Sequence, residues 1–166
     1  MSGSETVTIR EVEASDLEIF FAQQLDPEAI RLAAFVCADP QDRAAFDVHW
    51  AKILKSPRIT TRTIVVERHV VGHISCYPQG DNLEVTYWLG REFWGRGWAT
   101  HALEGMLNLV AGRPILARAA ADNLGSIRVL LKCGFKIVGK NKDFANGRGA
   151  ETEEYLFRLD DDQPKD

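Results

Sequence analysis

The chain has 166 residues, 45% of them hydrophobic and 27% charged, and a formal net charge of −4. That length fits one domain able to bury about 70% of its unfolded surface without help from a disulfide or metal. The acidic balance argues against nucleic acid as a partner and is compatible with cationic ligands. No apolar stretch approaches the ~20 residues of a membrane span. The polar opening MSGSETVTIREVE lacks the apolar run of a signal peptide. Three widely spaced cysteines, Cys37, Cys76 and Cys133, form no C-x-x-C pair. They point to a reducing, cytoplasmic setting and give no zinc site, and no His/Cys/carboxylate cluster elsewhere suggests a metal.

In chain order, residues 6–12 alternate as a first strand. Ser15 or Asp16 is positioned to cap a helix over 17–24, and Pro27 suits the first turn of a second helix reaching residue 35. Pro40 opens a third stretch with helical spacing of Ala44, Ala45, Val48, Ile53 and Leu54. The β-branched run 60–67 reads as a strand, turned by Arg68-His69 into a strand over 70–77. Asp81-Asn82 turns the chain again into a strand over 83–89. A helix opening after the Gly95 and Gly97 junction fades at Gly112 and Pro114, and 115–119 is a buried-looking strand. The next helix spans 124–132, with a glycine C-cap expected at Gly134. Strands over 135–139 and 153–159, joined by a turn-rich loop at 143–150, complete the domain over 1–160. The acidic residues 161–166 form a tail expected to be disordered. A meander of strands followed by strands alternating with helices implies a mixed α/β sheet.

The stretch YWLGREFWGRGWATHA, residues 87–102, organises this pattern. It ends a strand, turns at Gly95 and Gly97, and opens an amphipathic helix. A helix N-terminus presents unpaired N–H groups and a partial positive charge, which suits an anion and above all a phosphate. Glycines remove the Cβ atoms that would hold a phosphate away. A triphosphatase P-loop needs Gly-Lys followed by Ser or Thr, which is absent here. A dinucleotide fingerprint fails at Thr100, where its third glycine belongs, and at 114–120, where its ribose-binding acid belongs. The remaining alternative is a tight strand-to-helix turn without a ligand.

A second block, NLGSIRVLLKCGF at 123–135, decides between them. Together the two blocks resemble the acyl-CoA signature of the GNAT superfamily of N-acetyltransferases, in the branch of the ribosomal-protein N-terminal acetyltransferases. The family consensus is Gln or Arg, two residues, Gly, one residue, then Gly or Ala; Glu92 departs from it at the first position. The resemblance covers residues 60–159. It implies a single domain with a mostly antiparallel seven-stranded sheet, flanking helices, and fourth and fifth strands that splay to admit the pantetheine arm. Acetyl-CoA is then the cosubstrate. Its contacts would be the backbone of Trp88, Leu89 and Gly90, the turn from Gly95 through Arg96, Gly97, Trp98 and Ala99 to Thr100, and Asn123, Ser126 and Lys132. Asn123 and Ser126 are also ordinary residues for a helix start.

Transfer to an amine needs a neutral amine, a polarised carbonyl and a proton for the thiolate. Deprotonating an α-amine near pKa 8 costs ~1.4 kcal/mol at pH 7, and a lysine amine roughly 4.6 kcal/mol. Glu84, on the face opposite Leu83, Val85, Tyr87 and Leu89, stands where the family places a glutamate base. The usual proton-donating tyrosine, seven residues after the asparagine, is Leu130 here, which leaves Ser126 as the substitute. His49 and Trp50 fall in the segment that shapes the acceptor pocket. The acceptor is an amine, whether small molecule or peptide N-terminus, and a homodimer is allowed by the sequence. The rival reading is a non-catalytic CoA-binding sensor or regulatory module.

Overall fold

The structure, a computed structural model, describes residues 5–160. Its elements are β1 (Val7–Arg10), α1 (Asp16–Gln23), α2 (Pro27–Ala33), α3 (Arg43–Lys55), β2 (Thr60–Val66), β3 (His69–Gln79), β4 (Asn82–Leu89), a 3-10 turn (Arg91–Phe93), α4 (Trp98–Leu109), β5 (Ile115–Ala120), α5 (Leu124–Lys132), β6 (Lys136–Ala145) and β7 (Ala150–Leu159). The strands form one seven-stranded sheet in the order β1-β2-β3-β4-β5-β7-β6. All neighbours are antiparallel except β4 and β5. The anticipated fold class is therefore present, while the expected tail at 161–166 lies outside the described residues.

Period-2 alternation divides the sheet residues between two layers. Ile64, Ile74, Val85, Ile115 and Phe157 meet Trp98, Ala102, Leu103 and Met106 of α4 and Leu130 of α5 in the main core. The spacing of the α4 residues makes one apolar stripe, which is why that helix lies flat on the sheet. On the other face Phe20, Phe46 and Trp50 of α1 and α3 form a second cluster, with the His73 imidazole 4.6 Å from the Phe20 ring and 5.0 Å from Trp50.

Local turn chemistry differs from the sequence expectation at several points. The β2–β3 turn uses Glu67 and Arg68, both with positive φ, one residue earlier than expected. The β3–β4 turn likewise falls at Gly80-Asp81. The third helix begins at Arg43, capped by Asp42, rather than near Pro40. Half of the supposed loop at 143–150 is strand, because β6 and β7 pair as far as Ala145↔Ala150 and leave a four-residue turn. Neither proposed cap of α1 acts as a side-chain N-cap. Ser15 makes no cap bond, and Asp16 is 2% exposed and ties the helix to the sheet. Its carboxylate accepts from Arg10 at 2.8 and 3.0 Å, from the Glu13 N–H at 2.8 Å and from the Thr63 hydroxyl at 2.7 Å.

Two stability predictions follow from these buried groups. Burial, with a smaller contribution from His49, pushes the His73 imidazole down to about 4. Between pH 6.5, its ordinary value, and 4 the unfolded chain binds a proton that the folded chain refuses. Stability is therefore expected to fall as pH drops through that window, and His73→Phe to flatten the fall in urea titrations at stepped pH. Burial also opposes the charge on Asp16, but Arg10, the Glu13 amide and Thr63 overcome it and hold the carboxyl below its ordinary value. That stabilisation is complete above the ordinary range and disappears as pH falls through the folded value. Asp16→Asn should cost roughly 2 kcal/mol at pH 7 and remove this acid-side loss.

Candidate active site

The site begins where the sheet comes apart. β4 and β5 share only the pairs Leu83↔Ile115 and Glu84↔Leu116. Each strand is then held by a different partner, β4 by β3 along its whole length and β5 by β7. Beyond Glu84 the two strands follow those partners and separate. A cavity of about 840 Å³ occupies the gap. It is lined by Tyr87, Ala117 and Ala119 towards the α5 side, and by Glu84, Thr86 and Trp88 towards the α1–α3 side.

Backbone alternation determines which β4 groups face that gap. The Gly90 N–H donates to the Val71 carbonyl at 3.0 Å, so the Leu89 backbone is directed away from β3. The Leu89 carbonyl is taken by the Trp94 indole at 2.9 Å, which leaves the Leu89 N–H. This narrows the expectation for Trp88, Leu89 and Gly90. The Trp88 backbone belongs to the β3 ladder and the Gly90 N–H is already used.

At the turn, Gly95 and Gly97 have φ of +77° and +79°, and a Cβ on either would meet nothing within 4 Å. The left-handed backbone at both positions favours glycine. Among the described residues no protein acceptor reaches the N–H groups from Arg96 to Thr100. They form a free cradle for an anion. The Trp98 side chain does not take part: it is 8% exposed and belongs to the main core, so only its amide belongs to the cradle. The Arg96 guanidinium lies 5.2 Å from the Trp98 ring centroid and is exposed. The Cys133 thiol lies 3.6 Å from the Thr100 carbonyl. The end of α5, with Lys132, therefore adjoins this turn. Burial raises the Cys133 thiol to about 11, which argues against a covalent thiolate role.

Glu84 is 5% exposed and is not the solvated strand residue that its sequence context allowed. Arg118 on β5 donates to it from Nε at 3.1 Å, and Arg118 Nη1 lies 3.7 Å from Oε2 of Glu154 on β7. Glu154 also accepts from Asn141 at 3.0 Å. Burial opposes the charge on Arg118, but the two carboxylates outweigh it and raise the guanidinium above its ordinary value. Tyr77, directly across β3 from Glu84, is pushed up to about 12 by burial and the Glu84 charge, so it stays a neutral phenol.

On the other wall the Ser126 hydroxyl lies 2.9 Å from the Tyr87 hydroxyl. Burial raises the Tyr87 phenol to about 12, opposed by its hydrogen bond with Ser126. Asn123 starts α5 at the cavity wall. Its Oδ1 caps α5 through the Ser126 N–H at 3.3 Å and its Nδ2 donates to the Leu32 carbonyl at 3.2 Å, so both ends of the amide serve the fold. Leu130 is buried at 1% exposure. His49 sits exposed on α3 at the cavity mouth, whereas Trp50 lines the cavity mainly as a member of the second core cluster.

Tyr87, Arg118 and Glu154 were not singled out from sequence. Tyr87 alternates with core residues, and nothing local announces that the core face opens beside it. Arg118 and Glu154 lie 34 and 70 positions beyond Glu84 in the chain, and only strand order brings the three into one row.

With this geometry established, similarity to known proteins is informative. The family model described as an acetyltransferase (GNAT) domain matches residues 6–136. An uncharacterized N-acetyltransferase p20 of Bacillus licheniformis is 23% identical, over 94% of this chain and 93% of that protein. The structure of Mycobacterium smegmatis RimJ in complex with CoA-disulfide superposes with a TM-score of 0.79 at 20% identity, covering 93% of this chain and 82% of that one. RimL, a ribosomal L7/L12 alpha-N-protein acetyltransferase in complex with coenzyme A, gives 0.76 at 18% identity, covering 97% and 98%. The parted strands, the free turn amides and the family match agree, and the chain belongs to the GNAT acetyltransferase family.

Proposed function

We infer that this protein is a cytoplasmic enzyme that moves the acetyl group of acetyl-CoA to a primary amine by direct transfer within a ternary complex. The observation that carries this reading is the presence in one domain of three features: unpaired amides from Arg96 to Thr100, a gap between β4 and β5, and a cavity at that gap lined by Glu84. A cradle for a diphosphate, a slot for its arm and a carboxylate beyond it are the parts that an acyl-CoA and an amine require. All three cysteines are free thiols, which supports the reducing compartment.

The residues fit the cosubstrate as follows. The amides of Arg96, Gly97, Trp98, Ala99 and Thr100 hold the diphosphate, with Arg96 and Lys132 as neighbouring cations. Acetyl-CoA, when bound, supplies the activated acetyl group. Glu84 accepts the proton of the incoming amine, directly or through one water. The Leu89 N–H polarises the carbonyl under attack. Ser126 gives a proton to the departing sulfur, and its own oxygen accepts a hydrogen bond from Tyr87. The raised titration of Tyr87 keeps that phenol protonated, hence a donor, at neutral pH. The Tyr87–Ser126 pair thereby replaces the tyrosine missing at Leu130.

Three outcomes are expected in a thiol-release assay with acetyl-CoA and a panel of amines. Glu84→Gln should lower kcat about 100-fold while the calorimetric Kd for CoA holds. Tyr87→Phe and Ser126→Ala should each lower kcat, and the double variant should lose little more than Ser126→Ala alone, since both changes break one relay. Independent packing defects would add instead. Gly97→Ala should weaken CoA binding and cost roughly 1 kcal/mol of stability from the left-handed backbone. Tight CoA binding without turnover on any amine would assign the chain to the non-catalytic CoA-binding class.

A further inference from the structure

The acceptor end of the cavity carries an electrostatic signature that neither the fold nor the family match specifies. Four carboxylates line the cavity, Glu84 and Glu154 at its floor and Asp39 and Asp42 at its exposed mouth. Among the described lining residues Arg118 is the only arginine or lysine that faces them. Tyr77 and His73 do not redress the balance, because burial holds the first as a phenol and the second as a neutral imidazole at pH 7.

The floor shows the imbalance most directly. The Glu84 and Glu154 side chains are 7% and 2% exposed and share one guanidinium. Glu154 Oε2 is served by Asn141 and Arg118, whereas Glu154 Oε1 is buried with no hydrogen-bond partner in the described structure. A buried carboxylate oxygen without a partner is costly unless something cationic completes it. Between floor and mouth the walls are aromatic, with Phe46, Trp50, Tyr77 and Trp88. Such walls favour methylene groups and tolerate a cation over a ring face. A negative, low-dielectric chamber of this kind raises the local concentration of cations and excludes anions.

We propose that the acceptor is a primary amine carrying a second positive charge on an aliphatic chain, with Glu154 at the floor and the Asp39–Asp42 rim selecting that charge. This rests on the acetyl-transfer reading above and narrows its substrate class. A diamine or polyamine fits, and so does the basic end of a peptide. An amine bearing a carboxylate or phosphate is rejected by the same charges that draw the dication in.

The test uses three acceptors of matched length: 1,4-diaminobutane, butylamine and 4-aminobutanoate. Thiol release is measured with saturating acetyl-CoA, and binding of each compound to the CoA-loaded protein is measured by calorimetry at low and high salt. The diamine should exceed butylamine by about tenfold in kcat/KM, the equivalent of one ~1.4 kcal/mol contact, and 4-aminobutanoate should be the poorest. The diamine should also bind more tightly than the other two, and salt should weaken that preference. Glu154→Gln should reduce the preference for diamine over butylamine. Should that buried change impair folding, Asp39→Asn at the exposed rim tests the same selectivity. Equal use of all three compounds, or a preference that survives both substitutions, overturns the proposal. Selective diamine binding with no thiol release supports the charge selection while removing the acetyl-transfer reading, so the two failures are distinguishable.

Discussion

The structure depends on one topological constraint: β4 and β5 begin side by side, and each is then claimed by a different neighbour. A parallel strand pair would ordinarily continue its ladder, because unpaired backbone groups need partners. Here β4 follows β3, β5 follows β7, and two pairs of residues are all that join the halves. The edge this creates lies inside the domain, not at its rim. Part of it is satisfied by a side chain, the Trp94 indole on the Leu89 carbonyl, and the neighbouring Leu89 amide is left to meet a ligand. The gap also joins the two faces of the sheet, so a long cofactor can approach from one side and an amine from the other.

The two walls of that gap have different chemistry. On the α5 side the groups are neutral, with Tyr87 and Ser126 hydrogen-bonded among alanines and Leu130. On the α1–α3 side a row of charge crosses three strands, Glu84 on β4, Arg118 on β5 and Glu154 on β7. The neutral wall suits a thioester, and the charged wall suits an ammonium that must give up a proton. Arg118 lies within reach of both buried carboxylates, 3.1 Å from Glu84 and 3.7 Å from Glu154. Its side chain is 45% exposed, so the triad is anchored at its carboxylates and open at its cation.

Much of this was legible in the sequence because the deciding interactions are local. Two glycines before an amphipathic helix specify a turn with free amides, and the conformation at Gly95 and Gly97 bears out the turn, with positive φ at both. Alternation in LEVTYWL placed Glu84 on the face away from the core. Asn123 has the chemistry of a ligand contact and of a helix cap, and its amide caps α5 and donates to the Leu32 carbonyl brought in by α2. Trp98 beside the glycines reads as packing, and the helical stripe turns it into the core.

By itself the sequence determined which segments become strands and helices, where the chain presents an anion cradle, and which family signature that cradle belongs to. Each of these is written within a dozen residues, in periodicity, glycine placement and caps. Only the tertiary structure decided that β4 and β5 part after Glu84, that Tyr87 reaches Ser126, and that Arg118 and Glu154 join Glu84. Those contacts link residues 34 to 39 positions apart. No local pattern encodes them, because they follow from the order in which strands pair.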